Sequence, residues 1–157
     1  MPSRRELIAL SDDEMRAYAA EAKTLIIVSN GKDGFPPPMP MWFYADDELN
    51  FYFTTFRKSQ KVLNFRRDPK ATLLIESGEE YAQLKSLMVY ANTEVIDDLE
   101  TVISTLVAVN SKGADLDADQ LSRLRDGVAK TAEKRVVLKF IPERFVSWDH
   151  AKLGGRY

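Results

Sequence analysis

The chain has 157 residues, a formal net charge of −2 and no cysteine, which excludes disulfides, thiolate metal sites and cysteine nucleophiles. Its 45% hydrophobic and 29% charged residues are typical of a folded globular protein, and the small net charge does not indicate a nucleic-acid partner. The longest apolar runs are too short for a membrane span, and the amino terminus lacks the apolar core of a secretory signal. These features predict a soluble cytoplasmic protein with one domain over residues 1–157.

The first third of the chain predicts one helix followed by short strands. A capping-box pattern, Ser11-Asp12-Asp13-Glu14, predicts a helix over residues 11–22. An apolar, β-branched run predicts a strand over 24–29. Residues 35–44 contain four prolines within five positions, so we expect an extended edge or loop that becomes a strand at 41–44. Aromatic enrichment predicts a third strand over 49–54.

The remaining elements alternate between helices and strands. We expect a helix over 58–67, strands over 71–76 and 81–96, two helices between 98 and 128, and strands over 135–141 and 145–148. Asp68-Pro69 ends the first of these helices, and Pro142 is expected to stop the penultimate strand. The long segment 81–96 fits one bent strand or two.

This order of elements predicts a mainly β fold of the α+β class. At least six strands are joined by hairpin-sized connections, which favours an antiparallel sheet over a parallel one. Many short strands separated by turn signals indicate a barrel or a sandwich. The helices are a leading helix, a short helix after the third strand and a later helical pair.

The segment after the third strand carries a local excess of positive charge. Residues 57–70 contain six basic side chains and a single acid, Asp68. Thr54 and Thr55 precede this segment, and Ser59 lies at the expected start of a helix. Free amides at a helix start, hydroxyls and lysine ammoniums together suit a phosphate group. The same composition is also typical of a solvated amphipathic helix, and the pattern alone does not separate the two.

Two separated motifs carry a family resemblance. The first joins Pro-Met-Trp-Phe at 40–43 to Leu-x-Phe-Tyr-Phe-Thr-Thr at 49–55, Lys-Ser-x-Lys at 58–61 and Asn-x-Arg-Arg-Asp-Pro at 64–69. The second runs from Pro142 to His150 and continues as Lys152-Leu153-Gly154-Gly155. Together they resemble the pyridoxamine 5'-phosphate oxidase-like FMN-binding split-barrel superfamily. Within it, the chain is similar to the branch of flavin- and deazaflavin-dependent (coenzyme F-420) oxidoreductases.

The resemblance implies a split β-barrel, a cofactor and the residues that hold it. The implied cofactor is coenzyme F-420 or FMN, and the implied assembly is a homodimer with cofactors at the interface. The implied phosphate ligands are Thr54, Thr55, Ser59 and Lys61, with Lys58 as a helper. The cofactor ring is implied to face the strand that carries Pro40, Met41 and Trp42. Residues near Gln83 and Lys85, or near Trp148, are implied to reach the site from the partner subunit.

The sequence departs from the family pattern at Gln60, where many flavin-binding relatives have an arginine. Arg57 or Lys58 is a candidate to replace that charge. The implied function is hydride transfer between F-420 or FMN and a small conjugated molecule. The alternatives are a protein that binds or sequesters FMN, F-420 or another phosphorylated aromatic ligand without turnover, and a split barrel with a degenerate site. The single histidine, His150, excludes a multi-histidine metal site, so we expect no metal.

Overall fold

The structure is a computed structural model that describes residues 3–154. Residues 1–2 and 155–157 lie outside the described residues. The outermost part of the amino terminus and Gly155 of the carboxyl-terminal motif are therefore not described.

Seven strands and five helices make up the described part of the chain. The strands are β1 (Thr24–Ser29), β2 (Pro38–Trp42), β3 (Tyr44–Ala45), β4 (Phe51–Phe56), β5 (Lys70–Ser77), β6 (Lys85–Ile96) and β7 (Arg135–Asp149). The helices are α1 (Arg4–Ile8), α2 (Asp12–Glu21), α3 (Gln60–Arg67), α4 (Leu99–Asn110) and α5 (Ala118–Ala132). Short 3-10 turns cover Tyr81–Gln83 and His150–Leu153.

The strands form one antiparallel sheet in the order β2-β1-β5-β6-β7-β4-β3. The two edge strands, β2 and β3, follow each other in the chain with only Phe43 between them, so the sheet curls back on itself. β3 pairs with only the first two residues of β4, Phe51 and Tyr52. The edge of β4 from Thr54 onward therefore faces the split of the barrel. The antiparallel split-barrel prediction is confirmed.

The proline-rich segment forms the open edge of the sheet, as expected, but the predicted strand over 41–44 is wrong: β2 already begins at Pro38, and Phe43 separates it from β3. Pro38 and Pro40 of β2 lie opposite Val28 and Ile26 of β1. Because proline has no N–H group, these two residues cannot donate to β1, and their backbone faces the open edge. An edge without N–H groups at two positions is a poor template for another strand.

The barrel interior is aromatic and fixes α3 in place. Phe140 is fully buried and stacks on Phe53, with the ring centroids 5.6 Å apart. Phe65 of α3 meets the same Phe140 ring edge-on at 5.5 Å. The helix that follows β4 is thus anchored directly in the main core.

The helical pair α4 and α5 covers the outer face of the sheet at the start of β7. Val102, Ile103 and Leu106 of α4 pack with Ala132 and with Val137 of β7 in a second apolar cluster. Val137 points to this cluster, whereas its neighbour Leu138 points into the barrel, and both are fully buried. The start of β7 is therefore enclosed on both faces.

The predicted strand stop at Pro142 is wrong. β7 continues from Arg135 to Asp149, and the pairing register shifts where Tyr90 lies opposite Arg144 and Ala91 opposite Pro142. Glu143 is the extra residue of a β-bulge. A bulge tolerates proline because the ladder is already interrupted there.

Other boundaries also differ from the predicted ones, and the third predicted strand, 49–54, is β4 over Phe51–Phe56. A second capping box, Ser3 with Glu6, begins the extra helix α1 ahead of the predicted leading helix. α3 begins at Gln60 rather than at residue 58, with Ser59 as its N-cap. The segment 81–96 is a 3-10 turn followed by one strand of 12 residues.

Lys112, in the turn after α4, ties that helix to α2. Its ammonium donates to the carbonyl oxygens of Ala19 and Ala22 at 2.8 and 2.6 Å. It also lies 3.5 Å from the centroid of the Phe43 ring. Burial lowers the pKa of Lys112 to about 8, so the side chain is still largely protonated at neutral pH.

We expect Lys112→Ala to lower the free energy of unfolding by about 1–3 kcal/mol, because two carbonyls lose their donor. Urea denaturation at pH 7 measures the change. Lys23→Ala, which removes an exposed lysine nearby, is the matched control and should stay within about 0.5 kcal/mol of the wild type. Equal effects of the two substitutions would contradict the role given to Lys112.

Candidate functional site

The candidate site lies in the split of the barrel, where β4 ends and α3 begins. Thr54 and Thr55 are buried near the end of β4, and Ser59 caps the next helix. Antiparallel pairing places Phe56 of β4 opposite Arg135, the first residue of β7. Residues that are far apart in the chain therefore meet at one point of the sheet.

Three hydroxyls and two cations form two hydrogen-bonded groups there, one around Thr55 and one around Thr54, and the charge of Arg135 acts on Lys61. The Lys61 ammonium donates to Thr55 Oγ1 at 3.3 Å, and the Thr55 hydroxyl donates to Ser59 Oγ at 3.3 Å. The Arg135 guanidinium donates to the backbone oxygen and to Oγ1 of Thr54, both at 3.4 Å. We call Thr54, Thr55, Ser59, Lys61 and Arg135 the anion cradle.

The cradle holds positive charge that no carboxylate balances. Within residues 3–154, neither Lys61 nor Arg135 forms an ion pair. Burial, together with the charge of Arg135, lowers the pKa of Lys61. Arg135 Nε is buried without a hydrogen-bond partner in the described part of the chain, although its guanidinium lies 4.4 Å from the Phe56 ring centroid. Two like charges held this way favour an anion as the missing partner.

A pocket of about 320 Å³ opens beside the cradle, between β2 and α4. Its lining comprises Pro40, Met41, Trp42, Thr54, Leu106, Val109, Asn110 and Arg135. The predicted ring-facing residues of β2 are thus brought together with Thr54 and Arg135. Trp42 is 60% exposed, so a flat ligand in this pocket would find an aromatic surface at its rim.

The basic residues that precede α3 are not part of the cradle contacts. Lys58 is exposed and lines a separate pocket of about 350 Å³ with Phe56, Arg57 and Lys134. Arg57 is held by both carboxylate oxygens of Asp97, at 2.8 and 2.7 Å. Arg57 is therefore occupied and does not replace the charge missing at position 60. A phosphate role for Lys58 stays a prediction.

Gln83 is not close to the cradle within one chain. It is exposed in the turn before the Lys85 end of β6, whereas the opposite end of that strand, Ile96, pairs with Val137 near the cradle. At roughly 3.3 Å per residue, Gln83 and the cradle lie at opposite ends of β6, up to about 40 Å apart along the strand. A contribution of Gln83 therefore requires a second copy of the chain, and it stays a prediction.

Sequence reasoning missed Arg135. It appeared only as the first residue of a predicted strand, 74 positions after Lys61, with no motif around it. Its position depends on the β4–β7 register, which one sequence does not reveal. The register would have pointed to it, because Arg135 lies opposite the residue that follows Thr54-Thr55.

Together, the fold and the site define the class: a split-barrel protein with a cleft beside the edge strand β2 that holds hydroxyls and cations unpaired among the described residues. Residues 11–149 match the family model described as pyridoxamine 5'-phosphate oxidase. The chain belongs to this family, which confirms the resemblance in its motifs. No curated protein matches the sequence.

Solved structures share the fold over nearly the whole chain. A conserved hypothetical protein from Mycobacterium tuberculosis is 28% identical, with a TM-score of 0.86, over 99% of this chain and 95% of its own. An F-420 reductase is 19% identical, with a TM-score of 0.60, over 92% and 98% of the two chains. An FAD-binding protein from Mesorhizobium loti is 17% identical, with a TM-score of 0.57, over 88% and 93%.

Proposed function

We propose that the protein is an oxidoreductase that transfers hydride between a phosphate-bearing flavin or deazaflavin, FMN or F-420, and a small conjugated molecule. The observation that carries the proposal is the pair Lys61 and Arg135, two cations beside three hydroxyls with no balancing carboxylate. This donor set fits a phosphate, because ionised donors make the strongest hydrogen bonds to phosphate oxygens. When bound, such a cofactor supplies the hydride chemistry, and the protein supplies binding and orientation.

The adjoining pocket supports a redox cofactor rather than protein-based acid–base catalysis. Its lining contains no carboxylate and no histidine. Met41 and Trp42 offer apolar surface next to Arg135. A ring bound against them would therefore lie beside a phosphate that Arg135 holds. The fold is shared with an F-420 reductase and with an FAD-binding protein, which supports the same class of cofactor.

An anaerobic assay tests the proposed activity. Purified protein is mixed with reduced F-420 or reduced FMN and a conjugated enone, and reoxidation of the cofactor is followed by absorbance. We expect reoxidation that requires both the protein and the enone. Tight cofactor binding without accelerated reoxidation across a panel of enones and quinones would support the sequestering alternative instead.

We further propose a homodimer that forms through the outer face of the sheet. Four apolar side chains line up across neighbouring strands on that face: Ile26, Leu74, Met88 and Val146. Each is only half-buried within one chain. A row of this kind suits contact with another protein surface.

None of the described helices is long and apolar enough to cross a membrane.

Met88→Asp is expected to shift the protein from dimer to monomer, because it places a charge in the middle of the apolar row. Sedimentation equilibrium measures the mass. Glu94→Asp, a change at an exposed position of the same strand, is the control. A wild type that sediments as a monomer would contradict the dimer.

The affinity for the phosphate should fall at alkaline pH. Burial and Arg135 lower the pKa of Lys61 below the ordinary value of 10.5, and a bound anion favours the charged ammonium. As the pH rises, Lys61 therefore loses its proton in the free protein before it does so in the complex. Binding weakens as the pH rises through the lowered pKa of the free protein. Titrations of FMN and F-420 between about pH 7.5 and 10 measure the trend. Lys61→Arg should flatten it, and a wild-type profile that is already flat would contradict the assignment.

A further inference from the structure

A second pocket adjoins the first turn of α3. It has a volume of about 560 Å³ and is lined by Gly31, Lys32, Asp33, Phe35, Pro37, Gln60 and Asn64. We call it the α3 pocket. Gln60 lies in the chain between Ser59 and Lys61, which belong to the anion cradle. The α3 pocket and the anion cradle therefore both draw residues from the start of α3, whereas the pocket between β2 and α4 contains the cradle residues Thr54 and Arg135 directly.

Buried hydrogen bonds hold the wall of the α3 pocket. Asn64 is only 2% exposed, and its amide nitrogen donates to Ser29 Oγ at 2.9 Å. The Gln60 amide nitrogen donates to Asn64 Oδ1 at 3.0 Å. The Gln60 side chain thus extends along this wall, on the helix face next to that of Lys61. It therefore belongs to the α3 pocket.

The facing loop is tightly folded. A Cβ at Gly31 would come within 1.9 Å of the Phe35 carbonyl oxygen, so only glycine allows this turn. Asp33 Oδ1 accepts a hydrogen bond from the Phe35 amide at 3.1 Å. The α3 pocket therefore has a fixed wall on the helix side and a close turn on the loop side.

The lining offers one cation and one aromatic ring to a ligand. Lys32 has no ion-pair partner among the described residues, whereas Asp33 is used within the turn. Arg67, which does not line the pocket, donates to the Asn30 carbonyl and to Asn64. Phe35 is 77% exposed, so its ring is open for stacking. These groups suit a carboxylate-bearing chain or a flat heteroaromatic ring.

We propose that the bound phosphate is substituted on both sides, by two esters or by an ester and an anhydride, and that its second arm lies in the α3 pocket. The inference rests on the proposed function. A monoester such as FMN ends at its phosphate and would leave the α3 pocket unfilled. F-420 continues from its phosphate into a glutamyl tail, and FAD continues through a second phosphate to adenosine. In both ligands the phosphate is linked to a group on each side. The glutamyl tail of F-420 would use Lys32, whereas the adenosine of FAD would use Phe35.

Equilibrium binding of FMN, F-420 and FAD to the full chain tests the inference. We expect F-420 or FAD to bind about tenfold or more tightly than FMN. If the arm is the glutamyl tail, Lys32→Glu weakens F-420 about fivefold. If the arm is adenosine, Phe35→Ala weakens FAD about tenfold. Neither substitution should change FMN affinity by more than about twofold, since FMN does not reach the pocket.

The controls separate failure of the inference from failure of the proposed function. Lys134→Ala removes an exposed lysine outside both pockets and should leave all three affinities unchanged. The inference is overturned if FMN binds as tightly as both F-420 and FAD, or if Lys32→Glu and Phe35→Ala weaken FMN as much as the others. In those cases FMN still binds and the proposed function stands. If none of the three ligands binds, the proposed function itself fails.

Discussion

Replacing Lys61 and Arg135 together by alanine is expected to weaken cofactor binding by about 100-fold or more. Each charge-assisted hydrogen bond to a phosphate is worth about 1.5–3 kcal/mol, so the loss of two such donors has a large effect. The fold should survive, because neither side chain belongs to the two apolar clusters. Fluorescence titration with FMN and F-420 measures the affinity, and circular dichroism checks the fold.

A rescue variant makes this prediction specific to charge. Gln60 is exposed at the start of α3, between Ser59 and Lys61, so we expect the longer arginine side chain at this position to reach from the wall of the α3 pocket to a phosphate at the cradle. We expect Gln60→Arg to restore about tenfold of the affinity that Arg135→Ala loses. Lys134→Ala is the matched control for removing a cation from an exposed position. An unchanged affinity in the Lys61→Ala/Arg135→Ala variant would show that these two cations do not hold the cofactor.

Phe140→Ala should lower the free energy of unfolding by about 3–5 kcal/mol, the usual cost of emptying a buried phenylalanine position. Phe140 stacks on Phe53 within the sheet and supports Phe65 of α3, so its loss removes two aromatic contacts as well as buried volume. Because α3 carries Ser59 and Lys61, we also expect weaker cofactor binding in the part of the population that stays folded.

Denaturation in urea, followed by circular dichroism, measures the stability change. Phe35→Ala is the matched control, since it removes the same ring from a position that is 77% exposed. The control should change the free energy of unfolding by less than about 0.5 kcal/mol. Similar costs at the two positions would show that the aromatic cluster does not hold α3 in place.

Local signals in the sequence predicted much of the fold. The β-branched run at Thr24–Ser29 is a strand with the predicted bounds, and the Ser11 capping box is present with both of its hydrogen bonds. These features depend on neighbouring residues only, which is why one sequence is sufficient to predict them. The proline-rich edge strand follows from a missing donor, which is also a local property.

Strand pairing between residues far apart in the chain determines the features that were not predicted. The bulge at Pro142 arises because β7 continues its pairing with β6 on both sides of the proline. The residues next to Pro142 in the sequence do not reveal this pairing. Arg135 reaches the cradle only through the β4–β7 register. Lys58 and Arg57 looked equivalent to Lys61 by composition. The structure separates them, because Lys61 points to Thr55 whereas Arg57 is bound to Asp97.

The most direct test of the central claim compares cofactors with and without their phosphate. FMN is titrated against riboflavin, and F-420 against its phosphate-free deazariboflavin core, using the wild type and the Lys61→Ala/Arg135→Ala variant. The cradle predicts that at least one phosphorylated ligand binds the wild type about 100-fold more tightly than its phosphate-free counterpart, and that the variant loses this difference. Equal affinities within both pairs for the wild type would contradict a phosphate site between these two cations.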